Sequence, residues 1–348
     1  MVFVREQCVY VLLPDKRNYR DRAMRYYDIR LEDSSGSVVK SWSSMLNGFQ
    51  NGNAQDVEFD LFVYDAGTPM GDSSITIWGV SLQDIGQNFN FGPSQQNPVG
   101  YNIYVRAGMG GGLPLENPAQ AGLVFSGNVW QAWGNWIGTD MNIGFISKSS
   151  PFTISKPGNF VFSWKPGTLL SQAILTTLQT AVPDAAITVN INDSSYTTAE
   201  GETGVYSTLP GFAQRIKAIT VNPPNVGVSI VGTGNRIFVF DGSSSPKVVQ
   251  LAFTDFIGQP TWVNQYQIQI TLVMRGDISV GDLVTMPKAY AQVPGLGVAG
   301  PTSYASYRDQ TVFQGQFLVT AMRHVGRFRD PDGAAWVTIL QCAAYVPV

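Results

Sequence analysis

One histidine, His324, stands in a chain of 348 residues, a count that does not by itself exclude a Ser-His-Asp triad around it. Nucleophilic triads and most zinc sites draw on imidazole, and the arginines beside this one, Arg323 and Arg327, would not raise its basicity. No Gly-x-Ser-x-Gly elbow is present to place a nucleophilic serine beside it. The two cysteines, Cys8 and Cys342, lie near opposite ends of the chain, too sparse for a disulfide framework or a structural zinc site. A bridge between them would staple the termini; free and buried is the expected state, because unpaired cysteine is most often simply core.

Acids and aromatics offer other chemistry. A glycosidase needs two carboxyl groups about 5–10 Å apart across a cleft. Glu200 and Glu202 are candidates, but they lie in a polar stretch, 192–204, and are expected to face solvent. Trp130, Trp133 and Trp136 could form a platform for stacking sugar rings, and the competing expectation is packing at a sheet edge or interface. Lys16, Arg17, Arg20, Arg22, Arg25 and Arg30 interleave with tyrosines as a nucleic-acid contact would require. Asp15, Asp21 and Asp28 dilute that patch, so a solvated loop with paired arginines, or a protein interface, is expected there. Gly108-Met-Gly-Gly-Gly lacks both the Lys-Ser/Thr of a P-loop and a following helix, and is expected at a hairpin tip. No catalytic, cofactor-binding or metal-ligating residue is assigned, and no enzyme activity is expected.

The elements that would carry these residues are mostly strands. Between Ser73 and Ser149 four follow in succession: SITIWGV, VGYNIYVRAG, GLVFSGNVWQAW and DMNIGFISKS. Each is rich in β-branched and aromatic residues and bounded by Gly, Pro, Asn or Asp. Ser126-Gly127 inside the third predicts a bend, a bulge or the start of a second strand. Cys8–Leu13, Tyr27–Glu32 and Val57–Tyr64 are predicted strands ahead of this block. After Pro151 the pattern changes. Thr168 is placed to cap a helix through Val182, with Leu170, Ile174, Leu178 and Ala181 on one face. A strand Ala186–Ile191, a short helix over Gly211–Ile219 and a hairpin of Val226–Val231 with Arg236–Phe240 complete a β-α-β-α-β-β unit. From Val248 the chain is β again, interrupted by a long loop over 287–307 and ending in a hairpin around Asp330-Pro-Asp-Gly. The predicted fold is mainly β (α+β), with β-domains at 1–150 and 247–348 and a small α/β unit at 151–246 between them.

Charged residues make up 14% of the chain against a usual ~25%. Low charge with abundant Gly and aromatics suits a β-rich protein that hides surface in an assembly, and the net charge of −3 gives no drive towards nucleic acid or anionic membrane. The N-terminus is too mixed for a signal peptide, and no segment approaches the ~18 apolar residues of a membrane span. A soluble product made in a cytoplasm is expected.

The order of these motifs resembles a known family. SITIWGVS, VGYNIYVRAG, GLVFSGNVWQAW and the segment beginning TDMNI are similar to the first tube domain of phage baseplate hub proteins. FLVTAMRHVGRFRDPDGAAWVTIL resembles that family's closing hairpin, with Arg327 where an Asp is common, and GDLVTM resembles its P-G-D-x-V element, with Val280 in place of Pro. The resemblance implies two β-barrel-like tube domains per chain with an inserted α/β part. Three chains would then form a homotrimeric hub that joins the hexameric tail tube, or its initiator, to the trimeric central spike. Other baseplate proteins would be its neighbours, and genomic DNA or the tape measure would cross the channel without specific contacts. The setting it implies is the virion tail baseplate, assembled in the host cytoplasm, with a contractile tail favoured. The chain stops after the final hairpin, so no fused spike or lysozyme domain is expected. Two other functions stay open: a receptor- or glycan-binding tail protein using the tryptophans and the 287–307 loop, and a peptidoglycan-degrading component using the acids of 192–204.

Overall fold

The computed structural model describes residues 25–47, 49–68, 71–87, 91–94, 100–110, 117–150, 158–198, 200–222, 226–243, 247–264, 266–287 and 315–345. The expected strand Cys8–Leu13, residues Asp15, Lys16, Arg17, Arg20, Asp21 and Arg22, Gly111 and Gly112, and 288–307 of the long loop lie outside them.

The first region contains β1 (Arg25–Glu32), β2 (Val38–Ser43), the two-residue strands β3 (Met45–Leu46) and β4 (Phe49–Gln50), β5 (Asp56–Tyr64), β6 (Ser73–Trp78), a short α1 (Leu82–Gln87), β7 (Asn102–Met109), β8 (Gly122–Ile137) and β9 (Asp140–Lys148). Alternation decides these strands: in β5, Val57, Phe59, Leu61 and Val63 point inward while the residues between them do not. All four strands expected over 73–149 are present. The third differs from its motif. β8 runs unbroken through Ser126-Gly127, and the register slips on either side instead, opposite Val105/Arg106 of β7 and between Val129 and Gln131 of β8 itself. Gly127 serves a close approach rather than a bend, since a Cβ there would sit 2.1 Å from the Lys148 carbonyl oxygen.

The middle region holds β10 (Phe160–Trp164), α2 (Leu170–Ala181), β11 (Ala186–Asn190), β12 (Glu202–Tyr206), α3 (Leu209–Thr220), β13 (Ser229–Thr233) and β14 (Arg236–Phe240). The order is β-α-β-β-α-β-β, one strand (β12) more than the expected β-α-β-α-β-β. β10 and β12 pair only with each other, while β11 runs parallel to β14 and β13 antiparallel to it. β12, ETGVY, carries too few apolar residues to announce itself and becomes a strand through its partner β10. The cap expected from Thr168 is not made: its hydroxyl donates to the Lys165 carbonyl at 2.7 Å. Asp193, on a 3₁₀ turn after β11, caps α2 instead, accepting from Ser171 N at 2.7 Å and from the Ser171 hydroxyl at 2.5 Å. α3 is capped locally by Thr208, which accepts from Gly211 N. Phe160, Phe162, Ile174, Leu178, Phe212 and Ile237 belong to a core of the unit's own.

The last region contains β15 (Val248–Gln250), β16 (Thr261–Asn264), β17 (Gln267–Val273), β18 (Leu283–Thr285), β19 (Gln316–Arg327) and β20 (Trp336–Ala344). β19 pairs along β5, from Arg327↔Glu58 to Ala321↔Tyr64, so the strands of both β-regions lie in one 13-stranded sheet. Its main path reads β16-β17-β20-β19-β5-β6-β9-β8-β7-β1-β2. The chain is mainly β with a small helical unit, as expected. Strands of the first and last regions share this sheet, and no barrel closes among the described residues. One core cluster runs beneath both, from Tyr27 and Ile103 to Leu340 and Cys342.

Candidate interaction surface

Three contacts tie β1, β7 and the turn before β8 to the β19–β20 hairpin and the end of β17. Arg25, expected on a solvated loop or at an interface, is buried, and its guanidinium donates to the backbone carbonyls of Arg327, Asp330 and Asp332. It also lies 5.8 Å from the Trp336 ring centroid, over the ring face. The Trp336 indole in turn donates to the Gly108 carbonyl at 2.9 Å, tying β20 to β7. The third contact is an ionic knot. Arg275 donates to Asp255 and Asp277 at 2.7 Å each, Gln120 donates to Asp255 at 3.0 Å, and Gly122 packs against Gly276 with no room for a side chain on either. Burial works against the charge on Arg275, but its two carboxylate partners outweigh it and raise the pKa above the usual arginine value. Sequence reasoning missed this knot. Arg275 and Asp277 are neighbours in sequence, but Gln120 and Asp255 reach them only through the fold.

His324 is fully buried on β19, opposite Leu61 of β5 and Thr338 of β20. Its Nδ1 lies 2.9 Å from the Thr338 hydroxyl, while Nε2 has no hydrogen-bond partner. Burial pushes its pKa down to about 3, so it is a neutral core residue at ordinary pH. Cys342 is free and buried, and burial pushes its thiol pKa well up, away from the reactive thiolate. Among the described residues no group of three or more His, Cys, Asp or Glu could hold a metal ion.

The tryptophan run does not make a platform. In a strand the residues that share a face are two apart, so a spacing of three puts Trp133 and Trp136 on opposite faces. Trp133 lies flat on Gly144, its cross-strand partner, where a Cβ would meet the ring at 2.3 Å. Trp136 is 62% exposed and donates to the Gly138 carbonyl at 2.9 Å, and Trp130 occupies the bulge. Nor do the acids pair across a cleft. Glu202 accepts from Arg215 at 2.6 and 2.9 Å, and Glu200 is exposed. Arg30 binds Asp28 at 2.9 Å, the pairing expected for that stretch.

Part of the exposed apolar surface lies at sheet edges. Among the described residues β2 ends the sheet on one side with Val38 and Val39, and β16 ends it on the other with Trp262 and Val263. Leu46 and Phe49 face each other across the β3–β4 hairpin, with Phe49 78% exposed. Asn47, at φ 52°, makes the left-handed turn between them. On the β10–β12 ribbon, Val161 and Val205 form an exposed cross-strand pair. Outer strands with free N–H and C=O groups and apolar side chains are surfaces that an assembly covers. The edge β16 was legible in the sequence as Thr-Trp-Val-Asn between Pro260 and Tyr266, although the sequence reading passed over it.

No family model matches the sequence, and no curated protein matches it. Among solved structures the chain is similar to the 43 kDa tail protein of prophage MuSo2 from Shewanella oneidensis, at a TM-score of 0.48 and 8% identity over 92% of this chain and 97% of that one. A component of the type VI secretion system from E. coli, itself structurally similar to the T4 bacteriophage tail proteins gp27 and gp5, gives 0.48 at 8% identity over 85% and 76%. A tail protein from Neisseria meningitidis MC58 gives 0.45 at 10% identity over 92% and 96%.

Proposed function

We propose that the chain is a structural subunit of a phage tail baseplate, a homotrimeric hub that joins the hexameric tail tube or its initiator to the trimeric central spike. The observation that carries this reading is the meeting of the two motif blocks. The four strands of 73–149 and the C-terminal hairpin adjoin one sheet through β5 and β19, where Arg323 binds Asp60 from 263 residues away. Among the described residues both ends of that sheet lack a further strand and carry exposed apolar side chains, and copies arranged in a ring would cover both. A ring so built lines the tail channel, with DNA or the tape measure passing without specific contacts. In this reading residues 1–150 and 247–348 form the wall, and 151–246 stand beside it. The protein does its work in the virion and carries out no reaction. The glycan-binding and peptidoglycan-degrading alternatives draw no support from the divided tryptophans or from Glu202, which Arg215 holds.

Light scattering or native mass measurement on the purified protein tests the proposal. Trimers are expected, alone or on mixing with the tube and spike proteins. A monomer that stays monomeric with both would overturn it.

A further inference from the structure

We infer that the Asn51-Gly52 step is a site of spontaneous deamidation, a self-modification built into the base of the β3–β4 hairpin. Three hydrogen bonds fix Asn51. Its N–H donates to the Ser44 carbonyl at 2.9 Å, its carbonyl accepts from Ala54 N at 3.1 Å, and its side-chain Oδ1 accepts from Asn53 N at 3.0 Å. The last bond folds the side-chain carbonyl over the Gly52 peptide. Gly52 is exposed, has no side chain to shield its nitrogen, and has open space where a Cβ would project.

Those features meet the requirements of ring closure. The Gly52 nitrogen loses its proton to solvent and attacks Asn51 Cγ, forming a C–N bond. Negative charge develops on Oδ1, where the Asn53 N–H already donates, as an oxyanion donor does. The Cγ–Nδ2 bond breaks and ammonia leaves with the proton, giving a five-membered succinimide. Water then opens the ring at either carbonyl, to aspartate or to an isoaspartyl linkage. One water is consumed, one ammonia is released, and nothing is oxidised or reduced. The product adds a negative charge to a chain of net −3. The isoaspartyl route also inserts a methylene between the Ser44 and Ala54 tethers, beneath the hairpin that exposes Leu46 and Phe49.

Peptide mapping by mass spectrometry, on the full chain incubated at mildly alkaline pH, reads the conversion position by position. Conversion at Asn51 is expected, at least as fast in the folded chain as in the same chain unfolded in urea. Gly52→Ala, which the open space tolerates, should slow it on the order of tenfold, equivalent to about 1.4 kcal/mol of barrier. Conversion confined to Asn47, an unchanged rate in Gly52→Ala, or a folded chain slower than the unfolded one would each overturn the inference.

Discussion

In the α/β unit, Phe212 packs against Phe160, Phe162 and Tyr206 with ring centroids 5.5 to 5.9 Å apart, all from one stretch of chain. In the sheet, β5 finds its partner β19 only after the whole unit has intervened. The first region's core therefore waits on residues near the other end of the chain, and closing so long a loop precedes any reward from the contacts. The unit meets the sheet through polar bonds and through Val231 and Phe240, which pack in the sheet's core. Asp65 bridges Val231 and binds Lys217 at 2.9 Å, Ala66 N donates to the Ile230 carbonyl, and Gly234 N donates to the Ser149 carbonyl. The unit's own aromatic core and the ion pairs of the sheet are held by different residues, so substitutions can be chosen that break one and not the other.

The largest effect is expected at the ionic knot, where Arg275 holds Asp255 and Asp277. Arg275→Met keeps the bulk of the side chain but leaves Asp255 and Asp277 without their cation. Removing one partner of a buried ion pair typically costs about 3–5 kcal/mol. Denaturant unfolding followed by hydrogen exchange should show protection lost first in β17 and β20 while α2 and α3 keep theirs. Phe212→Ala is its mirror image, since truncating a buried Phe costs about 3–5 kcal/mol. It should release the helices and leave the β5–β19 ladder protected. Loss of protection throughout the chain in both variants would mean that unit and sheet unfold as one.

A smaller effect belongs to His324, beside the same ladder. Its folded pKa of about 3 lies below the ordinary value of 6.5, so between those values the unfolded chain binds the extra proton. Stability from this group is complete above pH ~6.5 and falls by about 1.4 kcal/mol per pH unit towards pH 3, or about 2 kcal/mol by pH 5. Carboxylate titrations overlie this change, so the comparison is with His324→Leu. That variant should lose less stability on acidification than the parent. Equal acid sensitivity of the two proteins would show that the imidazole does not charge on unfolding.

Period-2 runs such as Val57–Tyr64 and Gln267–Val273 were legible as strands because their inward residues are apolar one by one. The Trp130–Trp136 spacing could be judged only once β8 was known to run on to Ile137 with Trp130 at a bulge, since three-residue spacing divides side chains between the faces of a strand. Arg25 looked like part of a basic patch, and nothing local reveals that carbonyls of a distant turn supply its acceptors. The edges β2 and β16 are apolar in sequence, but whether an apolar strand is central or terminal depends on pairing, which no local pattern encodes.

The cap of α2 is the finest test of local against long-range control, because two residues compete for the role. Thr168 has the right type and position, yet its hydroxyl turns back to the Lys165 carbonyl. Asp193 arrives from 22 residues further along and takes both the Ser171 amide and hydroxyl. Its negative charge also lies near the positive end of the helix dipole. Asp193→Ala should therefore cost about 1 kcal/mol, in the range of N-cap deletions. Thr168→Ala should cost markedly less, because it removes one hydroxyl bond outside the helix. Hydrogen exchange at the Ser171 amide separates them: faster in Asp193→Ala and near the parent rate in Thr168→Ala. Should the threonine variant exchange as fast as the aspartate one, the helix start is fixed by its own sequence after all, and the unit owes less to its 3₁₀ turn than the geometry indicates.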